Sequence, residues 1–231
     1  MGRAADLNGT TGKAVLGLAQ LVVTLGLVLF APAWTFDFPL AWVYLAVFAT
    51  SAALITAYFS KHDPALLERR IRAGPRAETA PLQKLIQAAA ALAFVGIFLV
   101  ASLDHRFTWS TVPLAIAIAG DVVVVLGFFI VFRVFRENTY TAATIEVAAD
   151  QTVVSSGPYA IVRHPMYAGA LILLGGTPLA LGSWWGLALL VPMTLVIVSR
   201  LLDEESFLVT HLPHYSDYQQ RVRYRLLPLV W

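Results

Sequence analysis

The chain has 231 residues, of which 58% are hydrophobic and only 13% charged, about half the charged share of an ordinary soluble domain. Its net charge of +2 gives no reason to expect a nucleic-acid partner. There is no cysteine, which excludes disulfides, thiolate catalysis and Cys-ligated zinc or iron.

Several apolar runs of about 20 residues are each long enough to cross a hydrocarbon core of roughly 30 Å. They predict an all-α, polytopic membrane helix bundle, one domain over residues 1–231, with about six spans. These are Ala14–Trp34, Leu40–Phe59, Leu85–Leu103, Val112–Phe135, Tyr167–Leu181 and Trp184–Leu202. The first run lacks the small-residue cleavage site of a secretory signal. The fifth is short, and a tight turn at Gly182-Ser183 joins it to the sixth as a re-entrant or full hairpin. Pro178 and Pro192 lie inside these two spans, where neighbouring helices can satisfy the freed backbone groups.

This layout sorts the charges. Arg3 and Lys13, the 60–83 loop, Arg133, Arg136, Arg163, Arg200 and the arginines of the tail share one side. Of the 16 basic residues only Arg106 falls opposite. The positive-inside rule then places both termini and these loops in the cytoplasm, as in a bacterial inner-membrane protein. Within the 60–83 loop, Asp63 to Ile71 reads as a short amphipathic helix begun by Pro64 and ended by Ala73-Gly74-Pro75. Its simplest role is to lie among anionic headgroups. Trp34, Trp42, Trp109, Trp184, Trp185 and Trp231 stand near span ends and read as interface anchors.

Residues 136–156 form a long polar connection, of a size that is often functional, with Val147–Val154 extended. It leads into Gly157-Pro158-Tyr159-Ala160-Ile161-Val162-Arg163-His164-Pro165-Met166-Tyr167-Ala168-Gly169. Pro158 and Pro165 prevent a helix from running through this stretch, so it should be a fixed loop at a membrane face. Its partner is Arg200-Leu201-Leu202-Asp203-Glu204-Glu205, in which Arg200 and Glu204 share a helix face. Three consecutive acids oppose the dipole of a helix that stops there. Either the helix continues past them or they meet a cation. The two segments are expected to form one polar pocket at an end of the bundle; the plainer reading is a solvated cluster, with Arg163 and Arg200 snorkelling.

Gly157, Gly169, Gly175 and Gly176 allow close approach of a ligand or of another helix, with packing preferred for Gly175 and Gly176. His105, His164, His211 and His214 are not at metal-ligand spacing, so no metal site is expected. No phosphate-binding glycine loop is present. Asp121 is essentially the one ionisable candidate for burial within the spans, which argues against a channel or transporter; near the start of the fourth span, it reads as an interfacial cap. The tail, residues 212–225, is amphipathic and either packs under the bundle or lies on the membrane surface.

The order and spacing of Ser156-Gly157-Pro158-Tyr159, Arg163-His164-Pro165-Met166-Tyr167-Ala168-Gly169, Glu204-Glu205, then Tyr215, Tyr218 and Arg221-Val222 resemble the isoprenylcysteine carboxyl methyltransferase family, within the wider group of integral-membrane and phospholipid methyltransferases. The resemblance covers about residues 136–228. It implies an S-adenosylmethionine-dependent methyltransferase acting on a lipophilic acceptor, with membrane lipids as its other partners. Residues 1–135 would be four spans that give the acceptor access, and 136–231 a cofactor-binding catalytic half. The cofactor residues implied are Gln151, Thr152, Val153, Val154, Tyr159, His164, Pro165, Met166, Tyr167 and Glu204 or Glu205. Those implied for catalysis are Arg200, Glu204 and Arg163. The acceptor stays open between a prenylated cysteine, a phospholipid amine and a small lipophilic acid or alcohol. A membrane reductase of the sterol-reductase type, using NADPH, shares the Arg-His-Pro loop and is the competing expectation.

Overall fold

The computed structural model describes residues 2–71, 78, 80–141, 144, 145, 147 and 151–231, with side chains from residue 9 onward. Arg72, the Ala73-Gly74-Pro75 stop, Arg76 and residues 148–150 of the expected extended stretch lie outside them. The described residues form eight α-helices: α1 Gly2–Ala33, α2 Pro39–His62, α3 Pro64–Ile71, α4 Pro81–Phe107, α5 Leu114–Glu137, α6 Pro165–Ala180, α7 Leu190–His211 and α8 Tyr215–Arg221. Single turns of 3-10 helix at Gly157–Ala160 and Trp185–Leu189 precede α6 and α7. There is no strand among the described residues. The all-helical, polytopic expectation therefore holds.

Among the described residues, five helical stretches are long and apolar enough to cross a membrane: Gly9–Ala33, Pro39–His62, Pro81–Phe107, Leu114–Glu137 and Trp185–His211. The expected fifth span, α6, is apolar but has 16 residues. At 1.5 Å per residue it is about 24 Å long, short of the roughly 30 Å core. Its start is set by Pro165 at the first helical turn, where a missing N–H costs nothing. Gly182, at φ +75°, makes the turn that ends the segment.

The short α6 joins α7 through that turn, yet it packs chiefly on α5. Glycines explain why. A Cβ added at Gly120 would lie 2.4 Å from the Ala180 backbone nitrogen, and one at Gly127 would lie 2.6 Å from that of Leu173. On the facing helix, a Cβ at Gly176 would sit 2.6 Å from the Gly120 carbonyl, and one at Gly169 2.9 Å from Ile130. Without these side chains the two backbones come into direct contact, which is how helices gain dispersion energy where lipid supplies no hydrophobic drive. Gly175, also expected to pack, has open space around its Cβ direction: it lies on the face turned away from α5.

The core at the middle of the bundle gathers Leu29, Ala41, Tyr44, Ile97, Phe98, Val124 and Leu181, all under 2% exposed. Asp121 lies two turns inside α5 rather than at its start, where Pro113 is the cap residue. The cap reading is therefore wrong; its Oδ1 is buried without a hydrogen-bond partner among the described residues. At the end bearing Arg106, Asp104 is 1% exposed. It accepts from the Ser110 backbone at 2.8 Å and hydroxyl at 2.6 Å and from the Ser183 hydroxyl at 2.5 Å. This carboxylate fastens α4, the 108–113 connection and the 181–184 turn together. All six tryptophans are between 37% and 82% exposed, as interface anchors should be.

At the opposite, basic end, α3 does more than rest on a surface. Asp63 Oδ1 caps it, accepting from the Leu66 backbone at 3.1 Å. Leu66 and Leu67 are buried against Phe59 and packed by Phe132 and Phe135 of α5. Arg69 donates to the Thr139 carbonyl at 2.6 Å. The expected headgroup helix is thus docked into the bundle.

Candidate active site

Because α6 leans on α5, a gap is left between α4, α6 and α7. It is a cavity of about 490 Å³, within the roughly 300–1,000 Å³ typical of small-molecule sites. Its polar end is built from the sequence segments that were expected to meet. Gln151, Thr152, Val153, Val154, Tyr159, Arg163, His164, Pro165, Met166, Tyr167, Arg200 and Glu204 all line it. Glu205 does not. The deeper wall is apolar: Ala90, Ala91 and Phe94 of α4, Ala170 of α6, Met193 and Ile197 of α7.

The two neighbouring acids of α7 are separated by the geometry of the helix, because successive side chains point about 100° apart. Glu204 faces the cavity, and its Oε2 accepts from the Tyr167 hydroxyl at 2.6 Å. The Tyr167 oxygen in turn accepts from Arg200 Nε at 3.1 Å. The expected Arg200–Glu204 pairing along one helix face is thus bridged by a tyrosine from α6. Helix α7 also runs on past the three acids to His211, so they do not sit against its terminus.

Glu205, 5% exposed, points the other way. Its Oε1 accepts from Arg163 Nε at 2.6 Å and from His164 Nε2 at 3.1 Å. Its Oε2 accepts from Arg225 Nε at 3.0 Å. Arg163 Nη1 donates further to the carbonyls of Val222 and Arg223, at 2.9 and 3.0 Å. The backbones of Arg163 and His164 donate to Tyr224 and Arg225 carbonyls. This buried clasp ties the loop before α6 to the tail. Arg163, implied for catalysis, has its guanidinium engaged by Glu205 and two carbonyls, and part of the residue borders the cavity.

The tail resolves towards packing rather than the membrane surface. Helix α8 is shorter than the expected amphipathic stretch, but Tyr215 and Tyr218 are buried against Val153, Tyr159 and Leu212. The Tyr218 hydroxyl donates to the Tyr159 carbonyl at 2.8 Å. Burial raises the pKa of both α8 tyrosines and of Tyr159, so these phenols are neutral donors at physiological pH.

Several wall residues were not singled out from the sequence. Arg70 of α3 lines the cavity, with its guanidinium 5.2 Å from the Phe135 ring centre and Nη1 3.8 Å from Met166 Sδ. Burial lowers its pKa to about 10, which still leaves it charged. Asn138, Tyr140 and Thr141, just past α5, also line the cavity, and Asn138 donates to the Tyr159 hydroxyl at 3.1 Å. The only local signal for these was the polarity of the 136–156 connection. No group of three or more His, Asp or Glu side chains suited to a metal exists among the described residues.

The bundle thus carries, at its basic end, a cavity with a polar end and a larger apolar wall. Residues 115–214 match the model of the phospholipid methyltransferase family. The match runs from the start of α5 to just beyond α7, and the matched family is one of S-adenosylmethionine-dependent membrane methyltransferases, the same wider group that the loop and acid pair resemble. A comparison with curated proteins finds no match.

Proposed function

We propose that the cavity binds S-adenosylmethionine at its polar end and a lipophilic methyl acceptor along its apolar wall. The observation that carries this reading is the single continuous cavity. Glu204 and the rings of Tyr159 and Tyr167 border one part of it, and Ala90, Phe94, Ala170, Met193 and Ile197 another. Bound there, the cofactor supplies an electrophilic methyl group on a cationic sulfonium. A carboxylate and tyrosine faces are the groups suited to a sulfonium, and the volume fits a ligand of that size. The chain's own contribution is to hold donor and acceptor close and aligned, which replaces an encounter in solution with an effectively intramolecular reaction. A carboxylate acceptor needs no base. An amine acceptor has to lose a proton, and among the described residues Glu204 is the carboxylate that lines the cavity and could take it. Both O- and N-methylation are compatible with the family.

The clustering of basic residues supports a cytoplasmic setting for this end, where the water-soluble cofactor enters from the cytosol while the acceptor enters sideways from the bilayer. The test is to incubate the purified protein with radiolabelled S-adenosylmethionine and a membrane lipid extract, then identify the labelled product. Label in the organic phase is the expected result. Binding of NADPH without binding of S-adenosylmethionine would reverse the reading in favour of a reductase.

A further inference from the structure

Arg200 is held in place by a part of the chain that the family match does not reach. Glu78 lies in the connection before α4 and is 5% exposed; Gln83, in the first turn of α4, is 2% exposed. Glu78 Oε1 accepts from Arg200 Nη2 at 2.8 Å. Gln83 Oε1 accepts from Arg200 Nη1 at 2.7 Å, while its amide nitrogen donates to Asp203. That second bond sets which way the Gln83 amide faces. Neither Glu78 nor Gln83 borders the cavity.

The consequence follows from donor geometry. A guanidinium is planar, and its N–H groups form a rigid fork. Gripping it at both Nη atoms leaves Nε one direction, which is towards the Tyr167 oxygen. With that oxygen accepting from Arg200, the phenol directs its own proton to Glu204. Four side chains from two helices and a connection are thereby linked in series: Glu78, Arg200, Tyr167, Glu204. We propose that Glu78 and Gln83 are positioning residues which, through Arg200 and Tyr167, set the orientation of Glu204 in the cavity, so that the N-terminal half completes the site of the C-terminal half. The kinetic part of this inference rests on the methyltransferase reading.

The test uses full-length protein in lipid nanodiscs and has two arms. In the first, the Nε–H resonance of Arg200 is followed in protein labelled with ¹⁵N-arginine and assigned by its absence in Arg200→Lys. Glu78→Gln should move this signal and speed its exchange with solvent. An unchanged signal overturns the proposal, whether or not the protein methylates anything. In the second, kcat/KM for methyl transfer is measured in a double-mutant cycle. Glu78→Gln should lower it at least tenfold in the wild-type background and less than twofold in a Tyr167→Phe background, because the effect runs through Tyr167. Equal losses in both backgrounds would mark a merely structural role and overturn the proposal. If Glu78→Gln does not fold, Gln83→Met removes the other grip and is read in the same way. Absence of S-adenosylmethionine turnover in the wild type counts against the proposed function alone, and the resonance arm then decides.

Discussion

At the scale of single residues, the two adjacent acids of α7 carry different burdens. Glu204 shares its carboxylate with one phenol and borders the cavity, so its removal should cost ligand affinity and little stability. Glu204→Ala is expected to weaken S-adenosylmethionine binding at least tenfold, about 1.4 kcal/mol, by calorimetry, with an unchanged melting temperature. Glu205 is surrounded by Arg163, His164 and Arg225. Removing it strands buried positive charge, a change that typically costs about 3–5 kcal/mol. Glu205→Ala should therefore unfold in detergent at much lower temperature. A Glu205→Ala variant as stable as the wild type would show that the clasp does not hold the tail. On the far end, Arg106 touches the Pro32 carbonyl and the rings of Trp34 and Phe107; Arg106→Ala should leave cofactor affinity as it was.

At the scale of helices, the contact between α5 and α6 governs where the cavity opens. Gly120 and Gly127 on one helix, and Gly169 and Gly176 on the other, leave no room for a methyl group. Gly120→Ala forces the backbones apart and is expected to destabilise by about 1–3 kcal/mol, the usual range for overpacking. Gly175→Ala, with nothing within 4 Å, should change thermal stability by less than about 0.5 kcal/mol, as at surface sites. Equal effects of the two substitutions in a melting experiment would deny the glycine seam. The same contact explains why the predicted hairpin of the last two spans is a connection without being a packed pair. The packing of α6 on α5 leaves Tyr167 bonded to Glu204 and Arg200 in the wall of the cavity. Helix α3 illustrates a different point: its limits were legible from Pro64 and the amphipathic pattern, but its docking, and with it the place of Arg70, depended on which aromatic surface α2 and α5 present together.

For the molecule as a whole, alkaline pH probes the basic end. Tyr159, Tyr215 and Tyr218 have pKa values raised above 10.0 in the folded protein, chiefly by burial. The folded state thus holds protons that the unfolded state gives up, and the stability they contribute is complete below pH 10 and is lost as pH rises beyond it. Arg70, lowered to about 10 from 12.5 by burial, acts in the opposite sense over the same window, one group against three. Unfolding in detergent should become easier from about pH 10 upward, with the tyrosinate absorbance of these residues appearing only together with unfolding. Phenols that titrate near 10 in the intact protein would contradict their burial. What could be read along the chain was whatever depends on neighbours in sequence: long apolar runs that must be helices because lipid offers no partner for a backbone N–H, prolines that stop them, charge that sorts to one end, and the polar loop that precedes α6. What needed the tertiary structure were the relations between distant positions. The span of α6, the separate directions of Glu204 and Glu205, and the grip of Glu78 and Gln83 on Arg200 across more than a hundred residues arise from which helix faces meet, and a linear pattern of hydrophobicity carries no record of that choice.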